Sequence, residues 1–338
     1  MKHSMIRLAS GVNASESLPV GWQLGQDAVM SSLILGKPQY QVYPGSLILP
    51  DRPIRAGLTA KWPVFGTEHL KKFKTERAAG ADINTRRFAI DYDRAELLRY
   101  TFGTRFDEIE IQNALETGLT PMGLREAGYE LSRRAVEDNL ERIRHGLLTT
   151  AANYATANKV NAASAPWATT GNSYNDVRTV VEGISAATGV GGRSLRGVIA
   201  TDALNAVYRD ANFQAARVGA GGGQGLRIPT NQEIADYWGI GGLDEADMRV
   251  VDDDGTTITT LYSGTLIIYR PTSTPGMNTT FGDVVPGVTF TKGRGGARPV
   301  INMADSTLNT DRVFPWERIA LPKVFSYDAM GLIYGILG

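Results

Sequence analysis

Four short stretches gather residue types that can bind a ligand. "GAGGGQG", residues 219–225, has the glycine density of a phosphate loop. It lacks the Gly-Lys-Ser/Thr ending whose lysine and hydroxyl reach phosphate and magnesium, and it follows a predicted helix rather than a strand. It reads as a plain loop. "DDDG", 252–255, offers carboxylates to a cation, but the alternating acidic positions and later Glu of a calcium loop are missing. Asp-Gly ahead of a Thr-rich run is a hairpin turn. "TKGRGGARP", 291–299, places Lys292, Arg294 and Arg298 on a Gly-rich loop, for phosphate or for acids on a neighbour. "HLKKFK", 69–74, is flanked by Glu68 and Glu76 and suits a salt-bridge surface between subunits.

Catalytic chemistry finds no constellation. The chain has 0 cysteines, which removes disulfides, thiol nucleophiles and Cys-ligated metals. Its 3 histidines, His3, His69 and His145, share no metal spacing. No G-x-S-x-G elbow presents a serine. The expectation is no enzyme, with no catalytic, cofactor-binding or metal site. Lys plus Arg and Asp plus Glu are both 35, so net charge gives no drive toward nucleic acid. No apolar run approaches the roughly 18–20 residues of a membrane span, and the N-terminus has no signal-peptide core. A cytoplasmic site of synthesis and residence is expected.

The elements therefore carry the reading. Residues 1 to 60, rich in Gly, Pro, Ser and Asn, lack a core face and suit an extended arm that docks elsewhere. Residues 61 to 105 look like a two-stranded excursion, with "RRFAIDY", 86–92, as one strand and "AAGADINT" as the turn. Two strands alone are marginal in water, and their edges invite another chain.

A helix is predicted over 123–154. Leu124, Ala127, Leu131, Ala135, Leu140, Ile143, Leu147, Ala151 and Tyr154 fall near one face. Arg133–Glu137, Arg134–Asp138 and Asp138–Arg142 form i, i+4 pairs on the other. About thirty residues reach ~45 Å, well beyond an average globular helix.

Residues 176 to 270 alternate helix and strand. Asn175 is the expected cap of one helix and Gly189 its stop. "LRGVIA" reads as a strand, Thr201 as the cap of "DALNAVYRD", and Thr230 with Glu233 as a capping box. "RVV" and "TTITTLY" flank the Asp-rich turn, and "TLIIYRP" is a buried strand. Beyond them, "VTFTK" and "RVFPWE" are strands too far apart for a tight hairpin. "KVFSYDAMGLIYGILG" suits a terminal strand in a sheet. So much polypeptide in projections points to stability completed in an assembly.

A charged helix followed by "AANYATANKV" and then "PWATTGNSYNDVRTVVEGI" resembles the major capsid proteins of tailed double-stranded DNA bacteriophages, which have the HK97 fold. "KWPVFGTEHLKKFKTERAAGA", "LRGVIATDALNAVYRDANF", "GTLIIYRP" and "TTFGDVVPGVTF" fit in order and spacing from about 61 to 338. The resemblance implies an α+β fold. Its parts would be an N-terminal arm, 1–60; an E-loop, 61–105; a peripheral domain, 106–175, with the spine helix at about 123–154; an axial domain, 176–275; a peripheral return, 276–320; and a C-terminal strand segment, 321–338.

The function it implies is self-assembly into pentamers and hexamers of an icosahedral head enclosing double-stranded DNA, bound without sequence specificity. An encapsulin-like compartment for cargo protein is the alternative, and a soluble α/β enzyme a third class. A short arm from Met1 implies a separate scaffolding protein. A portal, and in some cases a cement protein, would be further partners, with no membrane. The chain would reside in the virion after assembly in the host cytoplasm. Some members of the family crosslink an E-loop lysine to an asparagine with the aid of a glutamate. Lys71, Lys72, Lys74, Asn302, Asn309 and Glu317 have the residue types, and no crosslink is expected.

Overall fold

The computed structural model describes residues 43–54, 57–64, 91–106, 112–114, 116, 118, 121–220, 228–251, 258–272, 285–292, 297–299 and 312–338. Pro44, with its preset backbone angle, opens a short helix α1 (Pro44–Ile48), and Asp51–Ile54 forms strand β1. Ile48 and Leu49 are completely buried. Residues 43–54, expected within a loop-like arm, are thus strapped to the chain's own core.

Strands β2 (Thr59–Val64) and β3 (Asp91–Glu96) pair antiparallel as a two-stranded ribbon. Of the strand expected at 86–92, Asp91 and Tyr92 open β3 and the rest lies outside the described residues. Strand β4 (Leu98–Phe106) follows, then the long helix α2 (Pro121–Thr149). Strand β5 (Lys159–Asn161), helix α3 (Ser173–Thr188), strand β6 (Arg196–Ala200) and helices α4 (Thr201–Arg209), α5 (Ala211–Ala220) and α6 (Asn231–Trp238) come next. Strands β7 (Gly242–Ala246), β8 (Arg249–Val251), β9 (Ile258–Thr260), β10 (Leu266–Tyr269), β11 (Gly287–Lys292), β12 (Ala297–Pro299), β13 (Arg312–Val324) and β14 (Met330–Tyr334) complete the chain.

Two sheets organise these elements. The first has the order β1-β11-β13-β12, with β4 also paired to β13. Its long strand β13 contains Pro315 and Pro322, which cannot donate to a ladder. Each sits where β13 has a described partner on one side only: Pro315 opposite Gly103 of β4, Pro322 opposite Thr289 of β11. The ribbon β2–β3 closes one face, where Trp62 stacks on Phe290 at 5.6 Å and a small core forms with Ala60, Leu97, Val288 and Ile319. Helix α2 crosses the other face. Ser132 meets Thr104 of β4, Glu137 meets Arg318 of β13, and Arg144 meets Thr289 of β11 and Asp51 of β1.

The second sheet, β5-β14-β10-β6-β7, holds the larger core. As the apolar run predicts, every residue of β10 is buried. Helix α3 lies so close that glycine is required twice. A Cβ on Gly331 would come within 2.0 Å of Val180, and one on Gly183 within 2.2 Å of the Ala157 carbonyl oxygen. The expected capping box of Thr230 and Glu233 is present on α6, and Gly189 ends α3 at φ +71. "RVV" and "ITT" pair antiparallel as β8 and β9, and their turn lies outside the described residues.

Three boundaries differ from expectation. The cap of α3 is Asn172, not Asn175: its side chain accepts from the Asn175 N–H at 3.1 Å. The helix start is pulled back because Ser173 donates its N–H and hydroxyl to buried Asp210, at 3.0 and 2.6 Å. Thr201 does not cap α4. Strand β6 runs straight into the helix, the Ala200 N–H donating to Thr265 O at 3.1 Å, and Thr201 is already helical. Finally, α2 ends at Thr149, five residues before the expected 154, and two 3₁₀ turns, Ala151–Asn153 and Thr156–Asn158, follow.

Candidate functional site

The buried face of α2 carries three of the six buried charged side chains among the described residues, Glu137, Glu141 and Arg144. They lie beside Val136, Leu140 and Leu148, which are also buried. Of the expected core face, Ala127, Leu140 and Tyr154 are buried, while Leu131, Ala135, Ile143 and Leu147 are only half-buried. The buried stripe takes in Glu137, Glu141 and Arg144 because the sheet beneath supplies countercharges. Glu137, expected to pair with Arg133 on the solvent face, accepts from Arg318 instead, while Arg133 turns to Glu130 at 2.6 Å.

The network spans four parts of the fold. Arg144 is 1% exposed and donates to Glu141 Oε2 at 3.3 Å, Asp51 Oδ1 at 3.1 Å and Thr289 Oγ1 at 3.2 Å. Asp51 also accepts from Arg318 through its other oxygen. Glu141 Oε1 takes two further donors, the Gly45 N–H of α1 and the Tyr262 hydroxyl at 2.9 Å. Burial, and then the Glu141 carboxylate, hold the Tyr262 hydroxyl well above the usual tyrosine range, so it remains a donor. A Cβ on Gly45 would lie 2.8 Å from both Arg144 Cβ and Glu141 Oε1, so only glycine lets the arm helix come this close.

The last turn of α2 is satisfied by hydroxyls. The Gly146 carbonyl accepts from Thr150 Oγ1 at 2.6 Å, Leu147 from Tyr327 at 3.1 Å and Leu148 from Tyr154 at 2.6 Å. These are carbonyls a helix end leaves open, commonly met by a glycine turn. Asn153 and Asn158, polar residues close by, do not fill that role. Asn153 donates to the Tyr327 hydroxyl at 3.0 Å, and Asn158 to Met330 O of β14 at 3.3 Å. Lys159 donates to Ala151 O at 2.8 Å. The chain leaves the helix through a braced corner that delivers it directly to β5 and the second sheet.

His145 stands between these two sites, edge-on to Tyr262 at 4.9 Å. Burial holds its pKa below the usual histidine value. The neutral ring is the folded form, so the unfolded chain binds the proton first as pH falls through about 6.5. Stability from this group is full above that pH and is lost on the way down to the folded-state pKa. His145→Gln is expected to flatten the pH dependence of the urea midpoint as pH falls below about 6.5. An unchanged slope would assign that pH dependence to other groups.

The stretches that first suggested ligand chemistry are not brought together. Gly219 and Ala220 close α5, so the glycine run does follow a helix; Gly221–Gly225 lie outside the described residues. So do 252–255, 69–74 and Arg294, while Lys292 ends β11 and Arg298 lies on β12. Among the crosslink residue types, Lys71, Lys72, Lys74, Asn302 and Asn309 are also outside; Glu317 is buried and paired with Arg99 at 3.5 Å. Among the described residues no group of three or more His, Asp or Glu side chains is placed to hold a metal. No described helix is long and apolar enough to cross a membrane. The network that does organise the molecule was missed by sequence reasoning. The available signal was Glu137, Glu141 and Arg144 recurring at i+4 and i+7 beside Val136 and Leu140.

No protein-family model matches the chain, and no curated protein matches it in sequence. Solved structures do match. A phage-related protein from Bordetella bronchiseptica RB50 superposes with a TM-score of 0.65 at 18% identity, over 92% of this chain and 97% of that one. The chain has the HK97-type capsid fold. A candidate prophage capsid protein from E. coli CFT073 matches with a TM-score of 0.52 at 8% identity, over 90% of this chain and 97% of the other. The capsid protein of cyanophage P-SCSP1u matches at 0.50 and 10% identity, over 85% and 86%. In this α+β fold α2 is the spine helix, and the buried network and the braced corner are two of the places where it is joined to the rest.

Proposed function

We propose that this chain is a major capsid protein, whose copies assemble as pentamers and hexamers into the closed icosahedral shell of a phage head around double-stranded DNA. The observation that carries the reading is the near full-length likeness to the phage-related protein, 92% of this chain on 97% of that one, with capsid proteins among the further matches. On this reading the parts are as follows. Residues 1–60 serve as the arm, with 43–54 strapped to the spine, and 61–105 as the E-loop, rooted in the β2–β3 ribbon. Residues 106–175 and 276–320 form the peripheral domain, which shares β4 with the E-loop segment through the β4–β13 pairing. Residues 176–275 form the axial domain, whose sheet also takes in β5 and β14.

The role is structural rather than enzymatic. A balance of 35 basic and 35 acidic residues suits a container filled by a motor, with no sequence-specific hold on the DNA. A separate scaffolding protein, a portal and, where present, a cement protein complete the assembly in the host cytoplasm, and the virion is the final location. Electron microscopy of the purified protein tests the reading. Closed shells are expected, and particles from producing cells should hold nuclease-protected DNA. Shells filled with protein cargo would make the chain an encapsulin-like compartment. Discrete small oligomers whose melting responds to a ligand would overturn the proposal.

A further inference from the structure

Glu141 joins three segments: the strap, its own helix and the turn that carries Tyr262. Its Oε1 accepts from the Gly45 N–H of the strap 43–54 and from the hydroxyl of Tyr262, in the turn after β9. Its Oε2 accepts from Arg144 on its own helix. The strap end is pinned a second time by Asp51, which accepts from both Arg144 and Arg318. The Tyr262 turn is pinned from the other direction, since Asp202 of α4 accepts from Ser263 Oγ and from the Gly264 N–H at 3.0 Å. Glu141 is 0% exposed, so no water substitutes for a lost donor while both neighbours stay seated.

We propose that docking of the strap on the spine and seating of the 261–264 turn are energetically coupled through Glu141, so that loosening either one loosens the other. The physical reason is the shared acceptor. If the Tyr262 hydroxyl is removed, the carboxylate keeps fewer donors in the closed site. Undocking the strap then becomes easier, because it admits water to the oxygen left short. By reciprocity, loosening the strap makes it easier for the Tyr262 turn to leave. The coupling links the strap 43–54 to the axial core, and it needs no change in the spine helix itself.

Amide hydrogen exchange on the full chain tests this, with the β10 amides as the reference for overall stability. Tyr262→Phe keeps the ring against His145 and removes only the donor. Strap-dependent amides, Leu49 bonded to Gly45 O and Thr289 bonded to Pro50 O, are expected to exchange about tenfold faster relative to β10, as for loss of one bond to a charged group. Asp51→Asn, which weakens the hold of Arg144 and Arg318 on the strap end, is expected to speed exchange of Thr265, bonded to Tyr262 O, relative to the same reference. Strap amides that keep pace with β10 in Tyr262→Phe, with Thr265 keeping pace in Asp51→Asn, would overturn the coupling. If one variant fails to fold, the other decides alone.

Discussion

Arg318→Met is expected to destabilise the folded chain by about 3–5 kcal/mol, and adding Glu137→Leu to it is expected to recover most of that loss. Glu137 and Arg318 are buried where α2 crosses β13, at 7% and 6% exposure. Enclosing two charges costs several kcal/mol each, and their attraction offsets this only while both are present. Removing Arg318 alone leaves Glu137 closed under the helix without its cation. Removing both puts apolar side chains of similar length beside Val136 and Leu140. Asp51, which also loses Arg318, keeps Arg144 and reaches water through a side chain 39% exposed. The native pair is itself imperfect, since Arg318 Nε is buried without a hydrogen-bond partner. Guanidinium unfolding of the single and double variants reads the difference directly, provided the m-values agree. A double variant less stable than Arg318→Met would mean that the pair contributes net stability, and the argument from desolvation would fail.

The same pair explains where sequence reading stops. Periodicity places apolar residues inside and charges outside by default, so it finds Ala127 and Leu140 in the core stripe but adds Leu131, Ala135 and Ile143, which are only half-buried, and gives no burial to Glu137, Glu141 and Arg144. Glu137 and Arg318 stand 181 positions apart, and no local pattern links them. Features set by neighbouring residues were legible: the buried run Leu266–Tyr269, the Thr230–Glu233 box and the Gly189 stop. Features decided at a distance were not. Asn172 and Asn175 are equally good caps by residue type, and the choice is made by Asp210, 37 positions from Ser173. Thr201 has the residue type of a cap, but strand β6 leaves it no room to act as one. The order of elements was enough for the fold, and the charged joints that hold the spine needed the structure.

Tyr154→Ala is expected to cost about 3–5 kcal/mol in the chain itself, and Tyr154→Phe about 1–2 kcal/mol. As part of "AANYATANKV", Tyr154 invites a reading as an intersubunit contact whose loss would impair assembly more than the monomer. The structure places it otherwise. Its side chain is 3% exposed in the isolated chain and packs edge-on against Tyr327 at 5.1 Å. Its hydroxyl donates to the Leu148 carbonyl, one of those left open by the end of α2. The Ala variant therefore loses a buried ring and leaves that carbonyl short of a donor; the Phe variant loses the donor alone. Burial holds the Tyr154 hydroxyl above the ordinary tyrosine range, so the donor persists to high pH. Urea unfolding at concentrations too low for assembly separates the two accounts. A fall in midpoint for Ala well beyond that for Phe is expected before any shell forms. A wild-type midpoint for Tyr154→Ala, combined with failure to form shells, would return this tyrosine to the interface. The plain Ala, Thr and Asn around it then have a physical role. They let the chain turn closely enough for two tyrosine hydroxyls to close a helix that has no glycine at its end.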